Sequence, residues 1–552
     1  MKKFLSIILA VTVCLGLVTV AYAASLPSSY SSMEKGYVTP VKNQGVSSAC
    51  YAFAAVSCLE SDYIIKGYGT KDNTDFSEAY YYWYGANNAW FDESSLYYGD
   101  GTYYEGDPYN AGLNFYEAIS PLVTDSGIGL EEDFPFFADD TGLMGGYTNA
   151  QRHSSGTNVR IQDIVTFDTG DMSGIKNWIV EHGGVSVCFN ANEYYYADNG
   201  TVAVNRIFLV NNHAVAIVGW DDNFKAEGRF SNLYMKSTGA WLCKNSWGPE
   251  WGDDGYFWLP YSDPTITDIT GYSINCNNDC DNRYSYCAFP YYNDEVYGDA
   301  TKVANKYTAQ ESGTVSKTSL YMFKDKSIEL KFYTDNGDGN PEGGKLLASY
   351  SGTFNKEGYY TVTLSNSFSI NKGESFYAVA NYPGGIPLEF TTYSHDDKDQ
   401  TYVYYEGKWD DVGDAWFAGN CPIDPVITST HSYGEVSHKD PTCTVNGYDM
   451  RSCEHCGKVE RTVIAATGHE FSDWTEVTPA TETVIGVYRR ECSKCGSYEY
   501  KYVDVNGNEV DGPANIPETY SQGGFFERIV VFFTYISTFF RTVLYKILTV
   551  FA

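Results

Sequence analysis

Four side chains in this sequence have the types and order needed to cleave an acyl bond through a thiol. Cys50 stands in NQGVSSACYAFAAV (43–56), with Gln44 six positions before it. His213 stands in NNHAVAIVGWDD, and Asn245 in WLCKNSWGPEWGDDGYFWLPY, closely followed by Trp247 and Trp251. The thiolate is the nucleophilic form of cysteine and needs a base. Histidine titrates near neutrality, and an amide beside it can hold one imidazole tautomer. A buried cysteine alone behaves as a small hydrophobe, so Cys50 has to be judged by its position.

The elements around these residues favour chemistry. Phe53, Val56, Leu59, Tyr63 and Ile64 recur three or four apart and Gly67 offers a stop, which predicts a helix beginning at Cys50. Unpaired N–H groups and the dipole at a helix N-terminus lower a thiol's pKa, and that lowering is expected of Cys50. Ala214-Val215-Ala216-Ile217-Val218, ending at Gly219, reads as a buried strand headed by His213. A further apolar stretch delivers Asn245 beneath two glycine-bounded tryptophans, a cover that excludes water from a histidine–amide pair.

Gln-x5-Cys, then Asn-His-Ala-Val, then Asn-Ser-Trp-Gly resembles the papain-like cysteine peptidases. LPSSYSSMEKGYVTPVKNQG (26–45) resembles the start of the mature enzyme, and DFSEAYYYW (75–83), GIGLEEDFPF (127–136) and IKNWIVEHGGVSVCFNAN (175–192) resemble internal landmarks, so that the likeness covers roughly 26–290. It implies a two-lobed α+β peptidase domain, helical on one side and β-barrel-like on the other. It implies Cys50 as nucleophile, His213 as general base and acid, and Asn245 as the group orienting His213. Gln44 and the backbone N–H of Cys50 would form the oxyanion hole, Gly112 would serve substrate binding and Trp247 would shield the His213–Asn245 bond. No cofactor is implied for catalysis. Ser47 replaces a cysteine that elsewhere in the family forms a disulfide, and Tyr51 replaces a tryptophan. Cys58 and Cys188 fall on apolar faces and are expected to be buried rather than paired.

Composition and the chain ends set the compartment. Met1-Lys2-Lys3, an apolar run and Ala21-Tyr22-Ala23-Ala24 form an export signal over 1–23, placing the protein outside the cell or on its surface. A net charge of −33, from 70 acidic against 37 basic side chains, excludes nucleic acid as a partner. Peptides and proteins are the expected substrates.

Downstream of the peptidase domain (24–290) the texture changes. KTSLYMF, SIELKFYTD, KLLASYSG, YYTVTLS and ESFYAVANY are short alternating segments, which predict an antiparallel sandwich over 291–424. The region resembles the lectin-like sandwich that follows the peptidase in a subgroup of exported bacterial and archaeal papain-like enzymes, with carbohydrate or cell-wall glycan as the implied partner. TDNGDGNPEGG (334–344) reads as a glycine-rich hairpin rather than a calcium loop, because the terminal glutamate is missing.

Residues 425–510 hold two related units. HSYGEVSHKDPTCTVNGYDMRSCEHCGKVE is echoed by HEFSDWTEVTPATETVIGVYRRECSKCGSYE, each ending in C-x-x-C-G. Cys453, Cys456, Cys492 and Cys495 could share one zinc within 431–503. Alternatively, each pair could recruit its own histidine, or the thiols could be metal-free in a small β repeat. A polar linker (511–524) leads to a hydrophobic helix over 525–552. Its apolar run from Ile529 to Phe540 is short for a bilayer span, so the tail could span, lie in the interface or pair with a partner helix. The sequence supports a secreted or surface cysteine endopeptidase. The rivals are a surface adhesin with a relic peptidase and a peptide ligase using the same residues.

Overall fold

The computed structural model describes residues 26–86, 127–136 and most of 157–510, with short gaps; the signal segment, Gly112 and the tail 525–552 lie outside the described residues. Two compact units are present, Met1–Gly434 with Ser452–Val459, and Glu435–Arg451 with Glu460–Ala552.

The first unit is built on the helix Cys50–Ile65. Lys66 caps its C-terminus and Gly67 follows with φ +79°, a left-handed turn that stops the helix at the expected place. The apolar spacing described only part of this helix, because Ser57, Glu60, Ser61 and Asp62 are buried as well. Glu60 accepts from the Thr39 hydroxyl and the Phe76 N–H (2.9 Å), and Asp62 accepts from Lys66 Nζ (2.7 Å) and the Ile274 N–H (2.7 Å). Buried carboxylates persist only where such donors replace water. The landmarks 75–83 and 127–136 meet here, since Phe76 bridges Leu130 and the Ser77 N–H donates to the Gly129 carbonyl at 3.0 Å.

A sheet packs against this helix. Val185–Phe189, His213–Asp221, Ala240–Lys244 and Tyr256–Pro260 follow one another as antiparallel neighbours, and Ser29–Ser31 pairs with the outer end of His213–Asp221. Their apolar residues form two cores, one under the helix and one with Ile175 and Ile179 of the helix Met172–His182. The result is the helical side and β side expected of the peptidase domain.

The sandwich was expected as a separate domain, but the large sheet runs from one into the other. Gly358, Tyr359 and Tyr360 of the strand Gly358–Ile370 pair antiparallel with Val165, Ile164 and Asp163 of the strand Arg160–Phe167. The boundary also shifts toward the N-terminus, because Cys280–Arg283 pairs with Ile423–Ser429 and so belongs to the sandwich. Its second sheet runs Leu346–Phe354, Lys326–Thr334, Ser375–Asn381, Lys302–Thr308, Thr401–Tyr405, Lys408–Asp411, and the buried Val303, Leu320, Leu330, Phe332, Phe368 and Phe376 belong to a single apolar core. Residues 334–344 form the hairpin between the first two of these strands.

The repeat region forms two small antiparallel sheets, Ser437–Lys439, Gly447–Ser452, Val459–Ile464 and Thr475–Thr478, Gly486–Glu491, Tyr498–Val503, Glu509–Val510. Among the described residues no helix is long and apolar enough to cross a membrane, and Cys58 and Cys188 are free thiols.

Candidate active site

Cys50, His213 and Asn245 each stand at the end of an element, whereas Gln44 and Trp247 lie on connecting segments. Cys50 opens its helix, His213 opens the strand His213–Asp221 and Asn245 follows the strand Ala240–Lys244. Strand pairing sets the rest, since Ala216 pairs with Lys244, bringing the start of one strand beside the end of the other. Ala49 is the N-cap of the helix and makes no side-chain cap hydrogen bond.

His213 Nε2 lies 2.8 Å from Asn245 Oδ1. The Ser246 N–H also donates to that Oδ1, at 2.8 Å, which fixes it as the acceptor and makes His213 Nε2 the protonated nitrogen. Nδ1 is thereby left with its lone pair, the form a general base requires. The Trp247 ring stacks on the imidazole, centroids 4.6 Å apart, and Trp251 meets Trp247 edge-on at 5.0 Å. Both His213 and Asn245 are buried, with 6% and 3% exposure.

Burial governs the electrostatics. It lowers His213 to about 4, partly opposed by the bond to Asn245. It pushes the Cys50 thiol up, against the lowering by the backbone groups of Ala214, Tyr51 and Cys50 itself. Desolvation of the charged form thus works against the lowering expected from the helix-end amides at this half-buried thiol. The influence of Ala214 also locates the thiol, since Ala214 directly follows His213.

Gln44 is held on three sides. Its Nε2 donates to the Ser47 carbonyl at 2.7 Å, its Oε1 accepts from the Ser246 hydroxyl at 2.6 Å and its backbone N–H donates to the Ser246 carbonyl at 2.8 Å. One N–H of the side-chain amide remains for a ligand. Behind the site lies a charged cluster. Lys42 Nζ reaches Glu78 (2.9 Å), Asp75 (2.8 Å) and Glu60 (3.4 Å), and Lys244 Nζ donates to the Thr39 hydroxyl at 3.0 Å. Burial pushes Glu78 up to about 7 against the pull of Lys42, and brings Lys244 down to about 8. Sequence reasoning missed Ser246 and the Lys42 cluster. Ser246 lies between Asn245 and Trp247 in the motif, and that adjacency was the available signal.

The metal candidates regroup. Cys492 and Cys495 lie with Cys443 and His469, while Cys453 lies with Cys280 and His431; Cys456 is outside the described residues. Each knuckle thus keeps its own histidine and adds a cysteine that the repeat pattern did not single out.

Comparison with known proteins agrees with this fold. The papain family cysteine protease model matches residues 26–82 and 106–274, and the lectin-like domain model matches 284–423. The protein carries a papain-family cysteine protease domain followed by a lectin-like domain. Cathepsin F of Drosophila melanogaster is 27% identical over 252 residues, covering 44% of this chain and 35% of that protein. Cysteine proteinase 1 of Dictyostelium discoideum is 25% identical over 235 residues, covering 43% of this chain and 61% of that one. The chain therefore spans less than two thirds of the length of these relatives. The solved clostridial cysteine protease Cwp84, after propeptide cleavage, shares the fold with a TM-score of 0.62 at 24% identity, covering 73% of this chain and 100% of that one. A structure of the protease and lectin-like domains of Cwp84, a surface layer associated protein of Clostridium difficile, gives 0.61 at 23% identity, covering 73% and 89%.

Proposed function

We propose that the protein is an exported cysteine endopeptidase that hydrolyses peptide bonds through an acyl-enzyme on Cys50. The observation that carries this reading is the buried His213–Asn245 bond of 2.8 Å under Trp247, on a strand whose second residue influences the Cys50 thiol. Cys50 Sγ attacks the substrate carbonyl carbon as its proton passes to His213 Nδ1. The oxyanion that forms takes hydrogen bonds from the free Gln44 side-chain N–H and from the backbone N–H of Cys50. Collapse expels the amine, which leaves with the proton from His213. Water then attacks the thioester, with His213 again the base, and the acid departs as the thiol recovers its proton. Asn245 reacts with nothing; it keeps Nδ1 turned to the chemistry.

Peptides and proteins are the proposed substrates. For the lectin-like domain we propose cell-wall glycan, on the support of the family description and of Tyr404 and Tyr405, which are exposed on an edge hairpin. The export signal and the surface-layer association of Cwp84 support work at the cell surface. A cleavage profile of the purified chain on a peptide library tests the reading: thiol-dependent hydrolysis supports it, and no cleavage under reducing conditions refutes it.

A further inference from the structure

The cysteines that catalysis leaves unused have their own geometry. At the second repeat's C-x-x-C the Sγ atoms of Cys443 and Cys492 lie 3.8 Å apart, and Cys495 Sγ lies 3.4 Å from His469 Nδ1. All four ligand atoms fall within 4.8 Å of one another. A sulfur–sulfur bond needs about 2.05 Å, so this pair is not a disulfide. A tetrahedral zinc, with Zn–S near 2.3 Å and Zn–N near 2.0 Å, sets two sulfurs about 3.8 Å apart and a sulfur and a nitrogen about 3.5 Å apart. These two edges, 3.8 Å and 3.4 Å, are those of a zinc tetrahedron.

We propose that Cys443, His469, Cys492 and Cys495 bind one structural zinc ion, and that each repeat's metal is completed by a cysteine from the segment before it. The surroundings are those of a ligand set. The Glu470 N–H donates to Cys492 Sγ at 3.4 Å, Phe471 stacks on His469 with centroids 4.9 Å apart, and Gly496, at φ +71°, turns the chain after the knuckle where a side chain would be strained.

The first repeat follows the same plan. Cys453 Sγ accepts from the Ser432 N–H at 3.4 Å, His431 stacks on Tyr433 at 5.3 Å, and Tyr433 bridges Cys453 as Phe471 bridges Cys492. There the added cysteine is Cys280, whose Sγ is 3.5 Å from that of Cys453. Cys280 begins a sandwich strand, pairing with Ser429, so its metal would fasten the first knuckle to the lectin-like sheet. Cys443 belongs to the turn of the first repeat and serves the second. Counting back from Gly447 and Gly486, or from Cys453 and Cys492, the counterpart of Cys443 is Glu482, so the relay ends there. This accounts for Cys280 and Cys443, which lie outside the C-x-x-C pairs. Because the thiols ionise as the metal enters, uptake weakens as pH falls.

Elemental analysis of the full chain, purified reduced from zinc-supplemented cells, tests the proposal. The expected content is about two zinc ions per chain. Cys443→Ser and Cys492→Ser should each remove about one, Cys280→Ser should remove the other, and hydrolysis of a small peptide should persist as evidence of folding. Metal-free protein, disulfides at these cysteines, or zinc content unchanged by Cys443→Ser would overturn it. Should Cys443→Ser not fold, X-ray absorption on the unaltered chain decides. At least one nitrogen-bearing, three-sulfur shell supports the proposal, and four sulfurs around every zinc overturns it.

Discussion

Replacing Asn245 with alanine removes the acceptor of a buried imidazole N–H. The lost contact is the 2.8 Å bond from His213 Nε2, in a site where both partners are buried. A buried donor left without its acceptor costs about 1–3 kcal/mol. If that cost falls on the reactive state, it corresponds to roughly a 5- to 150-fold loss of rate. The loss should appear in kcat, because Asn245 lies behind the imidazole and the opposite nitrogen faces the reaction. Asn245→Asp should restore much of the rate, since a carboxylate oxygen can accept from both His213 and the Ser246 N–H, whose bond to Asn245 is 2.8 Å long. Its charge favours the imidazolium, so the acid limb of the pH profile should move to higher pH. The assay is kcat and KM against pH for a fluorogenic peptide amide with all three proteins. An alanine variant within about twofold of the parent, or a loss confined to KM, would refute the orienting role.

Two further outcomes follow from the same structure and a third from the sequence of the tail. Because burial holds His213 at about 4, kcat/KM should fall on the acid side only as pH drops through that region, where the base becomes protonated; a limb near the ordinary value of about 6.5 would mean a hydrated imidazole. Lys42→Met removes the ion pairs to the buried Glu60 and Glu78, leaving Lys244 as their remaining nearby cation, and should cost up to about 3–5 kcal/mol in thermal or denaturant unfolding; an unchanged midpoint would count against the cluster as a structural element. If the apolar segment 525–552 anchors the protein to a membrane, removing it should move the enzyme from the membrane fraction into the medium, and equal release of both forms would exclude a membrane anchor.

The order Gln44, Cys50, His213, Asn245 was legible because each residue heads or follows a segment whose local pattern is strong: a helix start, an alternating β-branched strand and a glycine-bounded aromatic turn. The thiol's environment was not legible. The dipole argument is local, whereas the desolvation that works against it comes from long-range packing. The same holds for Glu60 and Asp62, whose donors Thr39, Lys42, Phe76 and Ile274 lie on other elements. Continuation of the sheet from Asp163–Val165 into Gly358–Tyr360 joins segments far apart in sequence, and alternation cannot name a strand's neighbour. Cys280 and Cys443 were missed because a lone cysteine carries no spacing signal until the fold brings a knuckle to it.

The central claim, a covalent intermediate on Cys50, is tested most directly by trapping it. The full chain is incubated with a peptidyl epoxide that alkylates catalytic thiols, digested, and mapped by mass spectrometry alongside His213→Ala and Cys50→Ala. The account predicts one modified residue, Cys50, in the parent, little or no modification in His213→Ala, and no peptide hydrolysis by a folded Cys50→Ala. Modification of another cysteine with activity lost in step, or hydrolysis persisting in Cys50→Ala, would contradict it.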